Sequence, residues 1–222
     1  MTILILSLAP VFLISLYIYF RDKYEKEPIG ILLRALLAGA IIIVPILIVE
    51  GFLQSFSAWF DGVFKAGYDA FAVASFTEES FKYLALYVII WNNKNFNEKF
   101  DGIVYASFIA LGFAGIENVF YVYKYGHAVA LMRALTAVPA HALFGITMGY
   151  YFGLAKFDEK HRKLRLRLAW FVPIILHGVY DFILFLEIPA YLLIFLPYIV
   201  YMWITGFKKM KKLSDESVFK KN

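Results

Sequence analysis

The stretch AFAVASFTEESFKYLALYVIIW, residues 70–91, is long and apolar enough to cross a lipid bilayer. Its middle nevertheless contains three ionisable residues, Glu78, Glu79 and Lys82. Charged side chains in the interior of a bilayer are energetically costly and usually mark a functional site. This stretch therefore predicts a membrane-spanning helix that carries part of a buried polar site.

The composition of the 222-residue chain indicates a membrane protein. Hydrophobic residues account for 62% of the chain and charged residues for 18%, whereas a soluble domain has roughly half of its residues apolar and about a quarter charged. The absence of cysteine excludes disulfides, thiolate catalysis and cysteine-ligated zinc sites. The net charge of +5 comes from basic residues that flank apolar segments, which argues against nucleic acid as a partner.

Seven apolar segments predict an all-α fold, a polytopic transmembrane helical bundle that forms a single domain over residues 1–222. Most Lys and Arg residues follow the first, third, fifth and seventh segments, so the positive-inside rule places these connections in the cytoplasm. The N-terminus is then expected outside, and residues 207–222 form a basic cytoplasmic tail that binds headgroups of the lipid bilayer. The predicted spans are residues 2–20, 31–53, 70–91, 102–125, 129–155, 168–186 and 189–206.

Four of these spans bring ionisable groups to one depth, between the middle of the membrane and its outer face. Glu78 and Glu79 lie eight or nine residues inside their span, which is roughly 12–14 Å at a rise of about 1.5 Å per residue. Glu50, near the outer end of the second span, is assigned to the membrane interface. The other ionisable groups at the common depth are Glu117, His141, His177 and Asp181.

These groups also have structural interpretations. Glu78 and Lys82 lie four residues apart, so Lys82 is expected to be the charge partner within one helix. His177 and Asp181 have the same spacing, and a carboxylate that fixes an imidazole can simply hold a bundle together. Ionisable groups on four spans at one depth nevertheless favour a functional site over packing.

The fifth span contains a stripe of small residues. Gly145, Gly149 and Gly153 follow His141 at intervals of four residues. Such stripes let helix backbones approach closely within membranes. We therefore expect the glycines to serve helix packing and His141 to face the interior of the bundle.

The ionisable groups suit two kinds of hydrolysis. In the first, Glu79, His141 and His177 hold a divalent metal such as Zn²⁺, which activates water and polarises a carbonyl group. In the second there is no cofactor: one of two adjacent glutamates activates the water, and His177 with Asp181 stabilises the oxyanion. The sequence has neither an H-E-x-x-H nor a G-x-S-x-G motif, so both alternatives stay open.

Four ordered motifs resemble those of the PrsW family of intramembrane proteases. They are EESFK at 78–82, FAGIEN at 113–118, RALTAVPAH at 133–141 and HGVYD at 177–181. The segments RDKYEKEP at 21–28 and FDGIVY at 100–105 are also similar to this family. The resemblance therefore extends over nearly the whole chain.

This resemblance implies a multi-pass protease of the bacterial plasma membrane in which Glu78, Glu79 and His177 are essential. It implies that the substrate is a single-pass membrane protein, an anti-sigma factor, which the enzyme cuts first and on the extracytoplasmic side during a stress response. Members of the family are often called metalloproteases, but that label does not decide whether a metal is bound.

Two other classes of function compete with proteolysis. Chains of Glu, His and Asp also form the proton relays of coupled transporters, although the sequence shows no inverted repeat and no pair of broken helices. A non-catalytic binding partner is the third class, and it would tolerate isosteric amides at the motif residues. We expect an enzyme, with the proton-coupled transporter as the alternative.

Overall fold

The computed structural model describes residues 2–220, and this part of the chain is built from helices without β-strands. The predicted all-α bundle is therefore confirmed. A π-helical segment, Tyr68–Ser75, joins two of the helices directly. The α-helices are α1 (Thr2–Arg21), α2 (Ile29–Ile41), α3 (Ile43–Gln54), α4 (Gly62–Gly67), α5 (Phe76–Ile90), α6 (Lys99–Tyr125), α7 (His127–Leu135), α8 (Ala137–Phe157), α9 (Arg162–Phe185) and α10 (Leu192–Asp215).

Six helical segments within residues 2–220 are long and apolar enough to cross a membrane, which confirms a multi-pass membrane protein. Helix α5 falls outside this set, because it has only 15 residues and contains Glu78, Glu79 and Lys82. The count of seven spans and the orientation of the termini stay predictions. The six segments are Ile3–Arg21, Ile29–Trp59, Lys99–Tyr125, His127–Phe157, Arg162–Phe185 and Pro189–Asp215.

The predicted span over residues 129–155 consists of two helices, α7 and α8. The chain leaves the helical conformation at Thr136, where φ is −120° and ψ is −71°. Pro139 lies in the first turn of α8, where a missing backbone N–H is tolerated. The second predicted span is likewise divided, at Ile42 between α2 and α3.

Helix α10 continues to Asp215, past the predicted end of the last span. Lys209 Nζ donates a hydrogen bond to Thr147 Oγ1 on α8 at 3.2 Å, and Glu216 forms a 2.8 Å ion pair with a lysine at the start of α6. The tail predicted over residues 207–222 is therefore helical up to Asp215 and packs against the bundle. Lys221, at the end of that tail, lies outside the described residues.

Helix α6 is the centre of the bundle, and α8 packs against it through backbone contacts. A Cβ atom added to Gly149 would lie 2.1 Å from the carbonyl oxygen of Gly102, and one added to Gly153 would lie 2.1 Å from that of Lys99. Neighbouring backbone cannot yield to such a contact, so these positions require glycine. The close approach of α6 and α8 brings His141 on α8 next to Glu117 on α6.

Candidate active site

A cavity of about 980 Å³ is lined by residues of every helix from α3 to α9. Lys65 and Glu187, which are both exposed, line its outer part. Glu78, His141 and His177, which are all buried, line its inner part. The cavity therefore connects exposed polar residues at one end of the bundle with buried ionisable groups inside it.

The three charged residues of α5 form a buried ion-pair network. Lys82 Nζ donates to Glu78 Oε2 at 3.0 Å and to Glu79 Oε1 at 2.7 Å. Glu78 is 6% exposed, Glu79 0% and Lys82 1%. Buried charges are tolerated when they are paired and hydrogen-bonded, so one ammonium group stabilises both adjacent carboxylates. The four-residue spacing had predicted only the pair with Glu78.

His177 on α9 lies between two carboxylates. Its Nδ1 is 3.0 Å from Glu79 Oε1, and its Nε2 is 3.1 Å from Asp181 Oδ2, one helical turn further on. The ring of Phe144 stacks on the imidazole with 4.7 Å between centroids. The imidazole is thus held in position on both edges and on one face.

His141 on α8 lies between an ammonium group and a carboxylate. Its Nδ1 lies 3.3 Å from Lys82 Nζ, and its Nε2 lies 3.0 Å from Glu117 Oε2 on α6. Phe113 packs edge-on against this imidazole, and the same aromatic ring lies 4.2 Å below the ammonium group of Lys82. In both histidines, Nδ1 faces the residues of α5 and Nε2 faces an outer carboxylate.

All six predicted site residues and their predicted charge partner therefore belong to one network of contacts. They come from α5, α6, α8 and α9, as the common depth of the four spans predicted. Their chemical roles stay predictions at this point. We call this network the histidine–glutamate cluster; it consists of Glu78, Glu79, Lys82, Glu117, His141, His177 and Asp181.

Arg133 is a further component that the sequence reasoning counted only toward membrane orientation. Its Nη2 donates to Glu117 Oε2 at 2.7 Å, and its Nε donates to Asn118 Oδ1 at 2.9 Å. Asn118 Nδ2 in turn donates to the backbone carbonyl of Ser7 on α1 at 2.9 Å. Arg133 thus compensates the charge of Glu117 and fixes the carboxylate that holds His141. The sequence offered one signal for this role, since Arg133 and His141 belong to the same motif, RALTAVPAH.

Glu50 was assigned to the membrane interface and was not predicted to be part of the site. Glu50 lines the cavity together with Glu78 and Glu117. Its helix, α3, begins after the break at Ile42 and forms one wall of the cavity. Position along a span could not show this, because the direction of the side chain depends on how α3 packs against its neighbours.

The π-helical segment sets the approach of α5 to α9. A Cβ atom added to Gly178 would lie 2.2 Å from Cδ1 of Phe71, a residue of that segment. Glycine next to His177 therefore lets the aromatic ring pack directly on the backbone of α9. Wide helical turns of this kind occur frequently at functional sites.

The donor set of the cluster fits a divalent metal ion. Ligand atoms of Glu78, Glu79, His141 and His177 all lie within 4.8 Å of one another. Glu79 Oε2 is buried without a hydrogen-bond partner, which leaves it free as a ligand. Metal-binding histidines commonly anchor their second nitrogen on a carboxylate, as both histidines do here. Lys82 Nζ contacts three of these four residues, so a metal held by the same atoms requires the ammonium group to withdraw.

Comparison with known proteins identifies the family. A family model for "PrsW family intramembrane metalloprotease" matches residues 27–204. The chain is 37% identical to Protease PrsW of Oceanobacillus iheyensis, over 98% of this chain and 99% of that protein. It is 37% identical to Protease PrsW of Clostridioides difficile, over 96% and 92%, and 36% identical to Protease PrsW of Bacillus subtilis, over 93% of each. No solved structure is significantly similar to it. Because these matches cover nearly the whole chain, the protein is a membrane protease and belongs to the PrsW family of intramembrane metalloproteases.

Proposed function

We propose that the histidine–glutamate cluster hydrolyses a peptide bond of a single-pass membrane protein, with Glu78 activating the water molecule. The observation that supports this proposal is that the two adjacent glutamates are placed differently. Glu78 lines the cavity, whereas Glu79 is completely buried. A general base must lie within hydrogen-bond reach of the proton that it removes, and water in the cavity reaches Glu78.

The proton transfers follow from this placement. Glu78 takes a proton from the water as the water oxygen attacks the carbonyl carbon of the substrate. It then returns the proton to the amine nitrogen as the carbon–nitrogen bond breaks. Lys82 binds Oε2 of Glu78 and leaves Oε1 available for the water. Aromatic side chains around the two histidines, among them Phe113 and Phe144, limit the access of bulk water.

Glu79, His141 and His177 are the residues that would hold a divalent metal such as Zn²⁺. When bound, such a metal polarises a carbonyl group and makes water more acidic. Asp181 and Glu117 orient the two imidazole rings through their Nε2 atoms. These two carboxylates therefore act as positioning residues.

The substrate follows from the family resemblance, which implies a membrane-anchored anti-sigma factor cut first on the extracytoplasmic side. The position of the cavity agrees with cleavage on the extracytoplasmic side. Its exposed end, at Lys65 and Glu187, lies where the positive-inside rule places the outside. We therefore expect the scissile bond near the outer face of the membrane.

A proton-coupled transporter would use the same groups as a relay, but the relatives are named as proteases, which favours hydrolysis. Reconstitution in liposomes distinguishes the two. A transporter produces substrate flux without new peptide termini, whereas a protease produces new termini without flux.

The test is cleavage of a single-pass anti-sigma factor by the purified full-length chain in liposomes, with the products identified by mass spectrometry. We expect one cut near the outer face, no cut with His177→Ala, and normal cleavage with the exposed control Glu159→Gln. Normal cleavage by His177→Ala would contradict the proposed site. Cleavage of other single-pass proteins but not of anti-sigma factors would contradict only the proposed substrate.

The metal assignment has its own test, elemental analysis combined with chelation. We expect one divalent metal per chain at this cluster, loss of activity on chelation, and recovery when Zn²⁺ is restored. A metal-free, chelator-resistant active enzyme would contradict the assignment and favour the metal-free form of the same hydrolysis.

A further inference from the structure

A second group of carboxylates meets at the opposite end of α6. Two of its members belong to the connection between α1 and α2, one follows directly on α1, and the fourth lies in the first turn of α6. Glu117 lies sixteen residues further along α6, which is about 24 Å at about 1.5 Å per residue. The group is therefore distinct from the histidine–glutamate cluster. We call it the acidic cluster; it consists of Asp22, Glu25, Glu27 and Asp101.

The acidic cluster is compact, and three of its four members are buried, whereas Glu25 is half-buried. Carboxylate oxygens of Glu25, Glu27 and Asp101 all lie within 4.8 Å of one another. Asp101 is 0% exposed, Glu27 2% and Asp22 1%. The segments RDKYEKEP and FDGIVY supply these residues. Neither segment contributes a residue to the histidine–glutamate cluster.

Each carboxylate of this triplet has one oxygen held by a donor and one oxygen without a partner. Glu25 Oε1 accepts from Asn97 Nδ2 at 3.0 Å, and Glu27 Oε2 accepts from the hydroxyl of Tyr105. Asp101 Oδ2 accepts from two backbone N–H groups at 2.9 and 2.8 Å. The remaining oxygens, Glu25 Oε2, Glu27 Oε1 and Asp101 Oδ1, are buried without a hydrogen-bond partner. Donors that orient one oxygen of a carboxylate while the other stays free are typical of the surroundings of metal ligands.

No ion pair compensates the acidic cluster within residues 2–220. Lys26, which lies between Glu25 and Glu27 in the sequence, donates to the backbone carbonyls of Tyr19 and Asp22 instead of to a carboxylate. Buried carboxylates without a countercharge are strongly unfavourable, so a bound cation would stabilise this arrangement.

We propose that Glu25, Glu27 and Asp101 bind one hard divalent cation, Mg²⁺ or Ca²⁺. These ions prefer oxygen ligands, carboxylates above all, and the three side chains offer only oxygen. Asp22, whose Oδ2 is also buried and without a partner, adds negative charge beside the site. The cation fixes the connection between α1 and α2 to the start of α6. This site is independent of the proposed proteolytic mechanism.

The experiment is isothermal titration of the full-length protein in detergent, after removal of metals, with Mg²⁺ and with Ca²⁺ in separate runs. We expect one saturable site for at least one of the two ions. Glu27→Gln and Asp101→Asn keep a hydrogen-bond acceptor for the existing donors but remove a charge, so each should weaken binding about tenfold or more. Glu159→Gln, an exposed carboxylate, and His177→Ala, in the other cluster, should leave the affinity unchanged.

Three results would overturn the proposal. They are no saturable binding of either ion to the unmodified protein, equal affinity in the two amide variants, and loss of binding in His177→Ala alone. Should an amide variant fail to fold, digestion of the unmodified protein with a lysine-specific protease gives an independent measurement. Saturating Mg²⁺ or Ca²⁺ should slow cleavage after Lys23, which is exposed in the connection, and an unchanged rate would equally contradict the site.

Discussion

The two ends of α6 both carry buried carboxylates, but they differ in the charges that surround them. In the histidine–glutamate cluster, Lys82 contacts Glu78 and Glu79, and Arg133 contacts Glu117. In the acidic cluster, three carboxylates lie within 4.8 Å of one another, and its four members form no ion pair within residues 2–220. The first cluster is stabilised by ion pairs with the chain's own cations, whereas the described residues form no ion pair with the second.

This difference separates two uses of buried acidic groups. A cluster that must activate water needs its carboxylates held as charged groups in a fixed geometry, which internal cations provide. A cluster whose oxygens are oriented but free has the properties of a cation site. The comparison therefore predicts opposite effects on stability. Removing a charged side chain should destabilise the histidine–glutamate cluster, whereas removing a carboxylate should stabilise the metal-free acidic cluster.

The largest effect is expected for Lys82→Met. It leaves Glu78 and Glu79 without a countercharge in a buried site, which should lower the free energy of unfolding by about 3–5 kcal/mol. Denaturant unfolding in detergent measures this change. The double variant with Glu79→Gln should recover part of the loss, because one of the uncompensated charges is then removed. Equal stability of Lys82→Met and the unmodified protein would contradict the charge balance described for this cluster.

A smaller effect is expected for Asp181→Asn. The amide can still contact His177 Nε2, but it no longer carries the charge that orients the imidazole and increases its basicity. Loss of such a partner typically reduces activity about 10- to 100-fold, and we expect the reduction in kcat with little change in KM. Steady-state kinetics on a single-pass substrate measures both. A change confined to KM would place Asp181 in substrate binding instead.

Arg133→Lys should have a still smaller effect. Lysine can keep the charge next to Glu117, but it cannot also reproduce the Nε hydrogen bond to Asn118. The loss is expected to be about 1.5 kcal/mol, or roughly tenfold in rate. Arg133→Leu serves as the companion variant, since it removes the charge as well and should be slower than the lysine variant. If both variants were equally active, the positioning role of Arg133 would be refuted.

The smallest effect, and one of opposite sign, is expected in the acidic cluster. In metal-free protein, Glu27→Gln removes one of several uncompensated carboxylates and should raise the free energy of unfolding by about 1 kcal/mol. With saturating Mg²⁺ or Ca²⁺ the order should reverse, because the unmodified protein then gains the binding energy. Thermal unfolding with and without cation measures both. If the variant were less stable than the unmodified protein under metal-free conditions, the claim that the two clusters differ in charge compensation would be contradicted.

The sequence predicted the helical class and the proximity of the residues of the histidine–glutamate cluster, because both depend on regular patterns. Apolar segments of bilayer length indicate the helices, and the rise per residue places Glu78, Glu117 and His177 at one depth. The glycine interval on α8 indicated a close helix contact, and α8 does meet α6 at Gly149 and Gly153.

Features that depend on breaks in helices or on long-range packing could not be predicted in the same way. Arg133 lies on the helix that ends before the interruption at Thr136, and Glu50 lies on the helix that begins after the interruption at Ile42. Hydropathy alone does not show these interruptions. The acidic cluster depends on the docking of the connection between α1 and α2 onto the start of α6. No periodic pattern within either segment indicates that contact.

The most direct test of the proteolytic role of the histidine–glutamate cluster is the single-turnover cleavage rate of Glu78→Gln in liposomes. Glutamine preserves the size of the side chain and can still accept from Lys82, but it cannot remove a proton from water. We predict a decrease of about 10²- to 10⁴-fold in the rate of cleavage, with the unfolding temperature and the binding of substrate retained. Cleavage at the rate of the unmodified enzyme would contradict the assignment of Glu78 as the base.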